Sequence, residues 1–88
     1  MVGVKKAVGK ISHYFGTLGV AVIELTDALK NGDNIEVVNA EGKTALIQTV
    51  SSMQIDLKPI AEAKAGQSIG LKVSAKVHPG NTVYKVTA

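Results

Sequence analysis

Cysteine is absent from this chain of 88 residues, and so are arginine and tryptophan. Without cysteine there are neither disulfides nor thiolate metal sites, so a buried apolar core must carry the stability. Without arginine, all ten basic residues are lysines. These act as point charges and lack the bidentate fork that reads phosphates and base edges. Aromatics are scarce: Tyr14, Phe15 and Tyr84 are the full set, little for the stacking platforms that bind single-stranded RNA. No apolar run approaches the roughly 20 residues that span a bilayer. The N-terminal MVGVKKAVGK has positive charges with no apolar stretch behind them, so it does not read as a signal peptide. A soluble, cytoplasmic protein is the expectation.

What is present points to one small globular domain across residues 1–88, with 45% hydrophobic residues, rich in Val, Ile, Leu and Ala. The net charge of +3 permits contact with a polyanion without requiring it. Turn signals recur at short intervals: Gly16–Gly19, Asn31–Asp33, Ala40–Lys43, Pro59 with Ala65–Gly66, and His78–Asn81. They separate six β-type segments, near 4–15, 20–26, 34–39, 44–56, 68–77 and 82–87. The segment after Gly66 alternates cleanly, Ile69, Leu71, Val73, Ala75 and Val77 on one face and Ser68, Gly70, Lys72, Ser74 and Lys76 on the other, as a half-buried strand does. VAVIEL at 20–25 has apolar residues on both faces at its start, which predicts a central, well-covered strand. The alternation in 44–56 blurs midway, predicting a bulge or a change of sheet. Lys58–Ala65 favours a single helical coil by its Ala, Glu and Lys content, and 25–30 another single turn. Six short strands joined by tight turns predict a small closed six-stranded β-barrel with at most one or two short helical turns.

Catalytic chemistry finds little purchase. His13 and His78 are far apart in sequence, with no HxH or HExxH spacing and no cysteine, so metal ligation is not expected. Nor is a hydroxyl nucleophile with an activating base. The seven carboxylates fall mostly at turns or on outer faces. The Gly-Lys-Thr of AEGKT at 40–44 lacks the glycine a phosphate-binding loop needs five positions before Gly42, where Val37 stands, and a strand rather than a helix follows. The expectation is a chain that is not an enzyme, with no cofactor and no nucleotide hydrolysis.

Two surface features remain. In KISHYF at 10–15, regular alternation puts His13 and Phe15 on the face of Ile11, with Tyr14 opposite beside Lys10 and Ser12. One reading has Phe15 filling the barrel and Tyr14 capping its mouth. The other makes Lys10, His13 and Tyr14 a recognition patch, with a ring to stack and cations for phosphate. Lys72 and Lys76 share a face, extended by Lys5 and Lys6 if the first strand is adjacent. A solvated wall and a phosphate-tracking stripe explain that row equally well.

LKNGDNIEVV (29–38), AKAGQSIGLKV (63–73) and VHPGNTVYKV (77–86) together resemble the second domain of translational GTPases such as elongation factor Tu. Gly32 and Gly80 suit turns of positive φ, and Gly70 suits close approach of a neighbouring backbone. GKISHYFGTLGVAVIEL with VSSMQI is similar to small stand-alone elongation-factor-like proteins, and the barrel appended to some collagenase-like peptidase-family proteins looks similar too. The translation-factor resemblance implies a six-stranded barrel of the domain 2 type. In the GTPases that domain helps hold the end of aminoacyl-tRNA and touches ribosomal RNA. It places Gln54 where elongation factor Tu carries a glutamate near the terminal adenosine, and Lys10 where arginine is frequent. The implied function is an elongation factor-like, RNA-binding barrel without a GTPase domain. It would contact tRNA, ribosomal RNA or a ribonucleoprotein through Lys10, His13, Tyr14, Gln54 and Lys58. The alternative is a protein–protein interaction or accessory module docking on a partner enzyme; no membrane partner is expected.

Overall fold

Each run of alternating residues between turns becomes a strand. The computed structural model describes residues 4–87. Its strands are β1 (Val4–Phe15), β2 (Val20–Leu25), β3 (Leu29–Lys30), β4 (Asn34–Val38), β5 (Thr44–Thr49), β6 (Met53–Ile55), β7 (Lys58–Ile60), β8 (Glu62–Ala63), β9 (Ser68–Lys72) and β10 (Thr82–Thr87). Eight of them form one antiparallel sheet in the order β5-β4-β10-β1-β2-β9-β6-β7, and β3 pairs with β8 as a two-stranded ribbon. The first and last strands lie side by side at its centre, with Val4 opposite Thr87.

The fold is all-β, but the closed six-stranded barrel of the domain 2 type is not what forms. The large sheet is open, ending at β5 and at β7. The reason lies in 68–77, whose strand stops at Lys72. Val73 and Val77 still point into the core while Ala75 is exposed, so the chain peels away before it can pair along β5. The Gln48 side chain bridges the gap instead. Its Nε2 donates to the Lys72 carbonyl at 2.9 Å and its Oε1 accepts from the Ser74 N–H at 2.9 Å. A side-chain amide thus copies one rung of strand pairing where the backbone ladder is missing.

The blur in 44–56 marks a real break. Residues 50–52 separate β5, which pairs with β4, from β6, which pairs with β7 and β9. No helix forms among the described residues. The expected coil at 58–65 is β7 and β8, because Ile60 pairs with Met53, and Ala63, fully buried, pairs with Leu29. Long-range pairing overrides the local preference of Ala, Glu and Lys. The β6–β7 connection is a tight turn, with Asp56 and Leu57 at φ of 51° and 66°. Gly32 and Gly80 do take positive φ, 94° and 92°.

The inner face of the sheet and the ribbon enclose one core. Ile23, Leu29, Ile35, Met53, Ile69 and Leu71 are its largest fully buried side chains. By area such side chains contribute about 1.5–3 kcal/mol each, and with no disulfide they carry the fold.

Candidate functional site

Which residues face outward is decided by β-bulges in β1. Ile11 pairs with Ile23, yet the next partners are His13 and Val22, so Ser12 is an extra residue. An inserted residue reverses the parity of everything after it. Tyr14, opposite buried Ala21, turns inward and packs against the core, and Phe15, opposite Val20, turns out and is 50% exposed. The expectation that Phe15 fills the interior is therefore reversed. A second shift falls between Ala7 and Gly9. There β2 comes so close that a Cβ on Gly9 would lie 2.7 Å from the Glu24 carbonyl oxygen and 2.9 Å from the Ile23 Cγ2.

The pairing register then lines up the outer face. One row runs His13–Val22–Gly70–Gln54–Pro59 across five strands, and the next runs Phe15–Val20–Lys72. Val20 and Val22 are half-buried and Leu18, in the adjoining turn, is 67% exposed. The VAVIEL strand is central, but its second apolar face has no cover among the described residues. In the middle, Gly70 leaves a hollow. A Cβ there would meet nothing closer than Val20 Cγ1 at 3.6 Å, an ordinary contact, so the close backbone approach expected at Gly70 belongs to Gly9.

The five predicted contact residues do not form one patch. His13 and Gln54 share the row, three strand spacings or about 14 Å apart. His13 stacks loosely on Phe15, ring centroids 6.3 Å apart. Lys10 belongs to another row, opposite Thr82 and Glu24, on a groove of about 390 Å³ that Ala7, Gly9, Ser12 and Thr82 also line. Tyr14 turns inward. Lys58 pairs with Ile55, which packs on the core, so it shares the face opposite to Gln54 and Pro59. The apolar members Phe15, Val20 and Val22 and the hollow at Gly70 were missed; the signal was the doubly apolar start of VAVIEL.

The lysine row is not continuous. β2 separates β1 from β9, and Lys5 and Lys6 are engaged elsewhere. Lys5 reaches Glu36 at 3.4 Å and lies 5.3 Å from the centre of the Tyr84 ring, and Lys6 meets Asp27 at 2.6 Å. The Thr44 hydroxyl, which donates to Glu36, and then Lys5 hold that carboxyl below its ordinary value. Lys6 and the Ala28 N–H do the same for Asp27. These ion pairs tie β1 to β4 and to the segment after β2. Among the described residues no group of three or more His, Asp or Glu side chains is placed to hold a metal ion, and no helix is long and apolar enough to cross a membrane.

No protein-family model matches the chain. It is 37% identical over 82 residues to an uncharacterized protease of Methanocaldococcus jannaschii, covering 91% of this chain and 19% of that protein. It is 35% identical over 82 residues to a collagenase of Porphyromonas gingivalis, covering 92% of this chain and 22% of the collagenase. The chain thus spans about a fifth of the length of the curated relatives it matches. Among solved structures, the C-terminal domain of a U32 peptidase from Geobacillus thermoleovorans superposes with a TM-score of 0.82 at 20% identity, over 91% of each chain. These likenesses overturn three expectations. The resemblance to the second domain of translational GTPases is not borne out, because the similarity in sequence lies with proteins named protease and collagenase and the similarity in fold with a U32 peptidase C-terminal domain. The elongation factor-like, RNA-binding assignment falls with it. So does the expectation of a chain that is not an enzyme, since its relatives carry the names of enzymes.

Proposed function

We propose that this chain is an accessory domain that docks on a U32-type peptidase. The observation that supports it is the proportion of the match: nine-tenths of this chain against about a fifth of proteins named protease or collagenase. The fold shared with a U32 peptidase C-terminal domain points the same way. On this reading the accessory domain contributes binding, and the chemistry belongs to the larger remainder.

The test is titration of the purified chain against each intact U32-type peptidase of its source organism, read by calorimetry and by the mass of the eluting complex. A one-to-one complex with a Kd tighter than about 10 μM, some 7 kcal/mol of binding, is the expected result. If no such peptidase binds, and peptide hydrolysis by each is unchanged when the chain is added, the assignment fails.

A further inference from the structure

Central strands whose side chains are apolar on both faces are normally covered on both. β2 is central, its inward Ala21 and Ile23 are fully buried, and its outward Val20 and Val22 are half-buried with no layer above them among the described residues. Beside them stands Phe15, the chain's single phenylalanine, half exposed, with Leu18 at the adjoining turn. A contiguous apolar patch on an otherwise polar wall marks a contact surface.

Gly70 sharpens this. A glycine inside a strand weakens it unless something needs the missing side chain. Nothing in the fold does. Gly70 has no left-handed φ, and a Cβ there meets only Val20 and Gln54, at 3.6 and 3.9 Å. Gly9, by contrast, is required by its own neighbours. The side-chain space left free at Gly70 lies beside Val20, 3.6 Å from where a Cβ would stand, and between its pairing partners Val22 and Gln54, so an apolar group from a partner can come close to the backbone there.

We propose that this outer face, centred on the Gly70 hollow, docks an apolar surface with an acidic rim on the remainder of a U32-type peptidase; the proposal rests on the accessory-domain reading. Charge selects the occupant. Lys10 and Glu24 stand opposite each other and offset one another, whereas Lys72, beside Val20, has no carboxylate across from it. A second copy of the chain would set Lys72 and the net charge of +3 against their like. An acidic rim would instead speed association. The relatives supply the candidate, since about four-fifths of their length lies outside the match.

The experiment compares the wild-type chain with Gly70→Val, Phe15→Ala and, as a control on the far edge, Ile47→Ser, each titrated against the intact U32-type peptidase. Gly70→Val fills the hollow with a residue that favours strands, so it is expected to fold as well as wild type and bind at least tenfold more weakly. Phe15→Ala is expected to lose about tenfold, and Ile47→Ser to bind as wild type. Circular dichroism confirms that each variant is folded. Binding by wild type that Gly70→Val and Phe15→Ala leave intact would overturn the surface and spare the accessory-domain reading. No binding by wild type would overturn both. Self-association of the wild-type chain, lost in Gly70→Val, would overturn the occupant in favour of a second copy.

Discussion

Two glycines on the strands either side of β2, Gly9 in β1 and Gly70 in β9, should respond in opposite ways to the same substitution. At Gly9 an alanine Cβ would sit 2.7 Å from the Glu24 carbonyl oxygen and 2.9 Å from the Ile23 Cγ2. The oxygen belongs to the backbone of the neighbouring strand, so relief requires β1 and β2 to separate where both are central. Overpacking of this kind costs about 1–3 kcal/mol, more where the backbone must move, and the upper end applies here. At Gly70 the nearest atom is 3.6 Å away, and the added methyl favours the strand by a few tenths of a kcal/mol. With about 4–8 °C per kcal/mol for a domain of this size, Gly9→Ala should melt roughly 10–20 °C below wild type. Gly70→Ala should match or slightly exceed it. Since tryptophan is absent, far-ultraviolet circular dichroism is the probe, with urea titration to confirm. At about 1–3 kcal/mol per molar urea, Gly9→Ala should lower the midpoint by roughly 1–3 M. Equal losses at the two positions, or a Gly9→Ala loss under about 0.5 kcal/mol, would refute the close β1–β2 register at Gly9 from which the outer face is read.

The bulge at Ser12 predicts that Tyr14→Ala costs about 1–2 kcal/mol in lost packing while Phe15→Ala changes stability by less than about 0.5 kcal/mol; urea midpoints showing the reverse order would restore the unbulged strand. Gln48→Ala removes both bonds across the seam, so a loss of about 1–2 kcal/mol is expected, with amide exchange quickening at Ser74, and unchanged exchange there would deny the bridge. Asp27 and Glu36 are both held below their ordinary values, so each binds a proton less readily folded than unfolded. Their contribution is complete above about pH 5 and is lost as the pH falls through the unfolded and then the folded values. Urea midpoints followed downward from neutral pH should fall less steeply in an Asp27→Asn, Glu36→Gln double variant.

Much of the fold was legible because it is local. The runs at 4–15 and 82–87 became β1 and β10 at those bounds, since alternation and flanking turns are written in adjacent residues. What was not legible depends on partners far away in sequence. Ala63 reads as helix until Leu29 is placed opposite it. Closure of the sheet depends on where the chain after Lys72 goes, and no residue near Lys72 records that. The site was harder for the same reason. A one-residue bulge at Ser12 exchanges Tyr14 and Phe15 between faces, and only the register against β2 shows it. The doubly apolar VAVIEL was visible, but whether its second face had a cover needed the whole sheet.

The central pairing of β1 with β10 has a mechanical consequence. Val4 lies opposite Thr87, so the strands that begin and end the fold meet at the same end of one antiparallel ladder. Tension across those two points bears on that ladder rung by rung, unzipping it from the Val4 end, where strands loaded in shear would share the load over all their bonds. The domain is therefore built to give way at low force, and once β1 and β10 part, the sheet loses its middle.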